Sequence, residues 1–126
     1  MEALRKKADD LFFEACRKKY GERCLICGRL YDKAHHFFCK GMFQHLRYDL
    51  DNGVNLCMTH HSMIHQTGEK KVVENQIIEI RGKDWFNDLR RRANNMPHSF
   101  KSKKWYQDNI TRLKEYICEK NQEEKN

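Results

Sequence analysis

Apolar residues recur every three or four positions at the start of the chain. Leu4, Ala8, Leu11, Phe12, Ala15 and Cys16 form one stripe, which predicts a helix over residues 3 to about 20 with Gly21 as its stop. Between Gly28 and Gly41 the pattern changes. Leu30 to Phe38 brings aromatic and apolar residues into a short stretch and predicts a strand. Cys39 to Asp49 is polar and basic and reads as a connection, and Asp51-Asn52-Gly53 is a turn signal because Asn and Gly tolerate positive φ. Val54-Asn55-Leu56 predicts a very short second strand, followed by a helix over roughly 58 to 67 that Gly68 ends.

The remainder is helical in pattern. Val72, Val73, Gln76, Ile77 and Ile80 make a stripe closed by Gly82, and Trp85, Phe86, Leu89 and Ala93 make another that ends before Pro97. Trp105, Ile110, Leu113 and Ile117 predict a last helix that gives way to a polar tail over 119–126. The expected class is a small α+β fold of one domain, residues 1–126. It divides into an N-terminal helix (1–22), a metal-stapled ββ-turn-helix centre (23–68), a helical extension (69–120) and the end of the polar tail (121–126).

Composition narrows this picture. A chain of 126 residues is too short for two ordinary cores. Only 39% of it is hydrophobic and 34% is charged, and so lean a core often borrows stability from a metal or a disulfide. The first twenty residues hold no apolar run of signal-peptide or membrane-span length, which predicts a cytoplasmic protein with no membrane partner. In a reducing compartment Cys-x-x-Cys pairs read as metal ligands. Cys16, Cys39 and Cys118 lack paired spacing and read as free thiols, the first and last packed in helices. A net charge of +7, clustered at Arg5-Lys6-Lys7, Arg17-Lys18-Lys19, Arg90-Arg91-Arg92 and Lys101 to Lys104, suits a polyanion such as nucleic acid.

The candidate chemistry lies between Cys24 and His65. Cys24 and Cys27 form one short-spaced pair; Cys57 and His60 form a second. Zinc takes four tetrahedral sulfur and nitrogen ligands, and two such knuckles from separate segments supply them, so this set predicts one structural zinc. The stretch between the knuckles is longer than a simple zinc ribbon needs, which points to a functional insert. His61 and His65 are four residues apart and share a helix face, so both can reach one ion. His60 is rotated by about 100° from His61 and can face the zinc knuckle instead. His35 and His36 alternate across a strand, and serve one site only if the strand ends or bends there. His45 and His98 fall outside this pattern.

Ala34-His35-His36-Phe37, then Asp49 through Cys57, then His60-His61 and His65, resemble the signature of the HNH (ββα-metal) nucleases, with His36, Asn52 and His61 in the three named positions. The Cys-x-x-Cys pair and Arg47-Tyr48-Asp49 are most similar to phage-type members, including phage recombination proteins. The resemblance covers about a third of the chain. It implies His36 as the general base, and His35, His61 and His65 as ligands of one catalytic divalent metal. It also implies that Asn52 braces the turn and orients His36 by bonding its backbone or ring. Many members of that family carry aspartate where His35 stands, and cysteine where His60 stands. The metal is expected among Mg2+, Mn2+, Ni2+, Co2+ and Zn2+, and three neutral imidazoles suit zinc, nickel or cobalt better than magnesium.

The function implied is a metal-dependent endonuclease that cuts or nicks double-stranded DNA. It would leave 5′-phosphate and 3′-hydroxyl ends, be encoded by a phage or mobile element, and act in a bacterial host cytoplasm. Lys40, Arg47, Arg90 and Arg91 are the expected backbone contacts. Two other readings use the same residues: a zinc-stabilised nucleic-acid-binding module without hydrolytic activity, and an accessory recombination or packaging protein whose nuclease acts only with a phage partner.

Overall fold

The first stripe forms helix α1, Glu2–Tyr20, which buries Ala8, Phe12, Ala15 and Cys16. Arg17, Lys18 and Lys19 lie in its last turn, where the helix dipole favours cations. The last helix, α5, Lys103–Lys125, lies along α1 and turns Trp105, Ile110, Leu113 and Ile117 into the same core. The computed structural model describes residues 1–66 and 68–125. The expected tail is therefore helix as far as Lys125, and Asn126 lies outside the described residues. Its Glu, Lys and Gln residues are strong helix formers, and Lys18 Nζ on α1 ties it down at 3.0 Å from Glu124. Cys118 sits on the exposed face of α5, so of the two helical thiols only Cys16 is packed.

Strand β1, Lys33–His36, pairs antiparallel with β2, Gly53–Leu56, placing His35 opposite Val54 and His36 opposite Gly53. β1 is shorter than the Leu30–Phe38 stretch. Leu30 is exposed and makes only an isolated bridge to Arg23. At the other end Asn52 captures the chain: its carbonyl accepts from Phe37 N at 2.9 Å, and its side-chain Oδ1 accepts from Phe38 N at 2.7 Å. Phe37 and Phe38 then turn into an aromatic group with Trp85 and Phe86.

The two-stranded sheet is covered on both faces, and all of β2 is buried. On one face Ala34 joins the α1 core, and the buried Asn55 amide donates to Gly21 O at 2.7 Å. On the other, Val54 and Leu56 join a second core with α3, Lys70–Arg81, and α4, Lys83–Ala93. Asp51-Asn52-Gly53 is not a positive-φ turn: Leu50–Asn52 is a 3-10 turn and Gly53 has φ −87°. Glycine is required there for another reason. A Cβ at 53 would lie 2.5 Å from Cys16 Sγ and 3.3 Å from the Phe12 ring, so α1 presses directly on the strand backbone.

Between the strands a second 3-10 turn, Gln44–Leu46, interrupts the expected polar connection. Helix α2, Met58–Ile64, follows β2 and is shorter than the expected 58–67. His65 is its C-cap, and Thr67, the expected last residue, lies outside the described residues. No helix among the described residues is long and apolar enough to cross a membrane.

Candidate metal centre and histidine site

Two segments bring four ligand-type residues together at one edge of the second core. The first is the knuckle Cys24–Gly28, closed by Gly28 N donating to Cys24 O at 3.0 Å; Gly28 has φ 76°, a conformation that favours glycine. The second is the start of α2, where Cys57 is the N-cap and His60 follows one turn later. Cys24 Sγ lies 3.6 Å and Cys57 Sγ 3.3 Å from His60 Nδ1, and Cys27 Sγ lies 3.7 Å from Cys57 Sγ.

All four donor atoms fall within 4.8 Å of one another. Tetrahedral zinc, with sulfur at about 2.3 Å and nitrogen at about 2.05 Å, requires donor separations of about 3.8 Å for two sulfurs and about 3.5 Å for sulfur and nitrogen. The three separations of 3.3 to 3.7 Å are close to those of that polyhedron. They are far too long for a disulfide, whose sulfurs stand about 2.05 Å apart. Burial pushes the Cys24 thiol up, but backbone N–H groups of Cys57, Cys27 and Ile26 outweigh it and hold the thiol below its ordinary value. The thiolate is the form zinc binds. This Cys24/Cys27/Cys57/His60 cluster can hold a structural metal ion such as zinc.

The histidines meet one residue further on. His61 points from α2 toward β1, and its ring centre lies 5.7 Å from that of His35 and 5.1 Å from that of His65; His35 and His65 are 6.3 Å apart. A ring bound to an ion through nitrogen has its centre about 3.2 Å away, so two ligating rings stand about 5 to 6 Å apart. The trio is close to that spacing but is looser than the cysteine cluster, which is the one tight ligand group among the described residues. Asp32 Oδ2 lies 3.7 Å from His61 Nδ1. Burial first, then the neighbouring histidine charges, pulls His35 down to about 3, so its imidazole is neutral with a lone pair available.

His36 ends β1 and lies on the opposite, α1-facing side of the sheet. It stacks on Phe12 with ring centres 4.9 Å apart and planes 11° from parallel. Its Nε2 donates to the Arg47 carbonyl at 2.9 Å, so Nδ1 is the nitrogen with the free lone pair. Burial lowers it to about 4, against the opposing effect of that backbone bond, and it is neutral at ordinary pH. Because the strand ends at His36, both members of the doublet reach one space: a cavity of about 340 Å³ lined by His35, His36, His61 and His65, with Lys33, Cys39 and Lys40 on its wall.

Several expected roles change. Asn52 is fully buried, but its amide donates to Phe38 O at 3.0 Å and Leu46 O at 3.3 Å; the partner of the His36 ring is Arg47, not Asn52. Asn52 braces the chain two residues past His36. The Arg47 guanidinium is engaged within the fold. Its Nε and Nη2 bond both oxygens of Asp9 at 2.7 and 2.8 Å, fixing the loop to α1. Arg91 is exposed and pairs with Asp88, while Arg90 is exposed with its guanidinium 5.3 Å from the Phe86 ring centre. Arg92, the half-buried member of that run, pairs with Asp49, Asp51 and Asp88 and pins α4 to the turn. Lys40 remains an exposed cation on the cavity wall.

Asp9, Phe12, Asp32 and Lys33 carry no motif and become visible only through these contacts. Comparisons of the chain with protein-family models, with curated proteins and with solved structures found no match.

Proposed function

We propose that the chain is a metal-dependent endonuclease of the HNH type, hydrolysing phosphodiester bonds in double-stranded DNA. The observation that carries this reading is the convergence of four histidines from two elements on one cavity. Three have rings 5.1 to 6.3 Å apart, close to ligand spacing, and the fourth has one nitrogen committed to a carbonyl and the other free. A binding module has no need of such an arrangement.

In this reading Cys24, Cys27, Cys57 and His60 hold a structural zinc, and His35, His61 and His65 hold one divalent ion. The bound ion would grip the scissile phosphate and offset charge on the leaving oxygen. His36 Nδ1 takes a proton from the attacking water, whose oxygen bonds to phosphorus as the P–O3′ bond breaks. O3′ then takes a proton from solvent, leaving 5′-phosphate and 3′-hydroxyl ends. Lys33 and Lys40 on the cavity wall can neutralise neighbouring phosphates.

The test is plasmid nicking by wild type and His36→Ala, each shown to be folded, with added divalent metal. The variant should be slower by on the order of 100- to 10,000-fold. Equal cleavage by both overturns the assignment of His36. Tight DNA binding without cleavage by the wild type, under every divalent metal, favours the zinc-stabilised binding module.

A further inference from the structure

His36 owes its orientation to a helix that lies outside the histidine and cysteine motifs. Asp9 and Phe12 are three residues apart on α1 and so lie on neighbouring parts of one face. Phe12 supplies the plane on which the His36 ring lies, 4.9 Å between centres and 11° from parallel, and Phe13 meets the same ring edge-on at 6.4 Å. Asp9 acts one step away. Its carboxylate accepts two bonds from the Arg47 guanidinium and a third, at 2.9 Å, from Tyr48 Oη. The backbone carbonyl of that same Arg47 is the acceptor for His36 Nε2.

A ring has two freedoms in such a site: its plane and its rotation within that plane. The Phe12 face limits the first. The Arg47 carbonyl limits the second, and it also selects the tautomer with the proton on Nε2. The Phe12 face packs against Gly53, opposite His36 in the sheet, with no room for a Cβ between them, and the Arg47 segment is tied to α1 by the Asp9 ion pair.

We propose that Asp9 and Phe12 are positioning residues for His36, α1 fixing the plane, rotation and tautomer of its ring through the Phe12 face and the Asp9–Arg47 carbonyl relay. This inference rests on His36 being the general base of the proposed nuclease. It is separable from that reading, because the tautomer can be observed whether or not the protein cleaves DNA.

The experiment uses the full chain in four forms: wild type, Asp9→Ala, Asp9→Glu and Phe12→Leu. Each is checked for retained zinc and helical content, and two quantities are read. One is the ring ¹⁵N spectrum of His36 in histidine-labelled protein. The other is the single-turnover nicking rate with protein in saturating excess over plasmid, beside the affinity for the same DNA.

Wild type should show the Nε2–H tautomer alone. Asp9→Ala should show a mixture and nick on the order of 100-fold more slowly at unchanged DNA affinity, the loss expected of a misplaced reacting group. Asp9→Glu, which can still reach the guanidinium, should recover most of the rate and the single tautomer. Phe12→Leu keeps apolar bulk without the flat face, and should slow nicking similarly.

Folded Asp9→Ala and Phe12→Leu proteins with the wild-type tautomer and rate overturn the proposal. If Asp9→Ala does not fold, Phe12→Leu and Asp9→Glu decide it on the same readouts. A mixed tautomer in Asp9→Ala, in a protein whose His36→Ala variant cleaves as well as wild type, retains the relay and removes the nuclease role of His36.

Discussion

The cysteine cluster and the histidine cavity adjoin at neighbouring residues, His60 and His61, yet they are held in opposite ways. The cluster has four donors within 4.8 Å and takes its shape from the donors themselves. The cavity has three rings 5.1 to 6.3 Å apart, and its fourth histidine is placed by protein: an aromatic face, a carbonyl and an ion pair whose partners are 38 positions apart in sequence. A closed donor set suits a metal that does nothing but hold. An open one leaves room for a substrate, and the frame around it must then come from packing.

That contrast ranks the expected effects of perturbation. Removing one donor of the cluster should do most damage. Cys57 is a candidate ligand, the N-cap of α2 and a member of the second core at once. Metal binding of about 10 kcal/mol or more is folding free energy in a closed zinc site. Cys57→Ser should therefore unfold the β2–α2–α3 region at room temperature, seen as loss of amide protection there. A variant that keeps protection and binds no zinc breaks the contrast from the side of the cluster.

The frame of the cavity should yield by smaller amounts, and in a pH-dependent way. Burial raises the Asp9 carboxyl, but the bonds from Arg47 and Tyr48 and the Arg47 charge outweigh it, and the group lies below its ordinary value of 3.8. A depressed carboxyl stabilises the fold above its unfolded pKa, and the contribution is lost as pH falls through the folded value. The stability gap between wild type and Asp9→Asn should thus be full at neutral pH, on the order of 2 kcal/mol for bonds to a charged group, and should shrink steadily below about pH 4. Denaturant melts of the two proteins at each pH measure it, and acid release of zinc affects both alike. A gap independent of pH removes the ion pair from the account.

The sequence was informative where the determinants are local. The helices follow three- and four-residue stripes, and the two knuckles follow from ligand spacing within a few residues. The separation of His60 from His61 follows from helix geometry alone. It was uninformative where partners come from distant segments. Arg47 reads as a DNA contact until Asp9 is seen across it, and Asn52 reads as a partner of His36 until its amide is found on Phe38 and Leu46. Gly53 reads as a turn glycine, although what it provides is room for Cys16 and Phe12. The polar end of the chain reads as a tail because it lacks an apolar stripe, yet its helix formers and the Lys18–Glu124 tether keep it helical to Lys125.

Metal retention separates a site that holds the fold from one that acts on DNA. Purified protein is dialysed against a mild chelator, then assayed for bound metal, helical content and plasmid nicking, before and after divalent metal is returned. One zinc per chain should be retained with the fold intact, the chelator should abolish nicking, and the added metal should restore it. A folded protein that holds no zinc, or nicking that survives chelation unchanged, contradicts this division between the two sites.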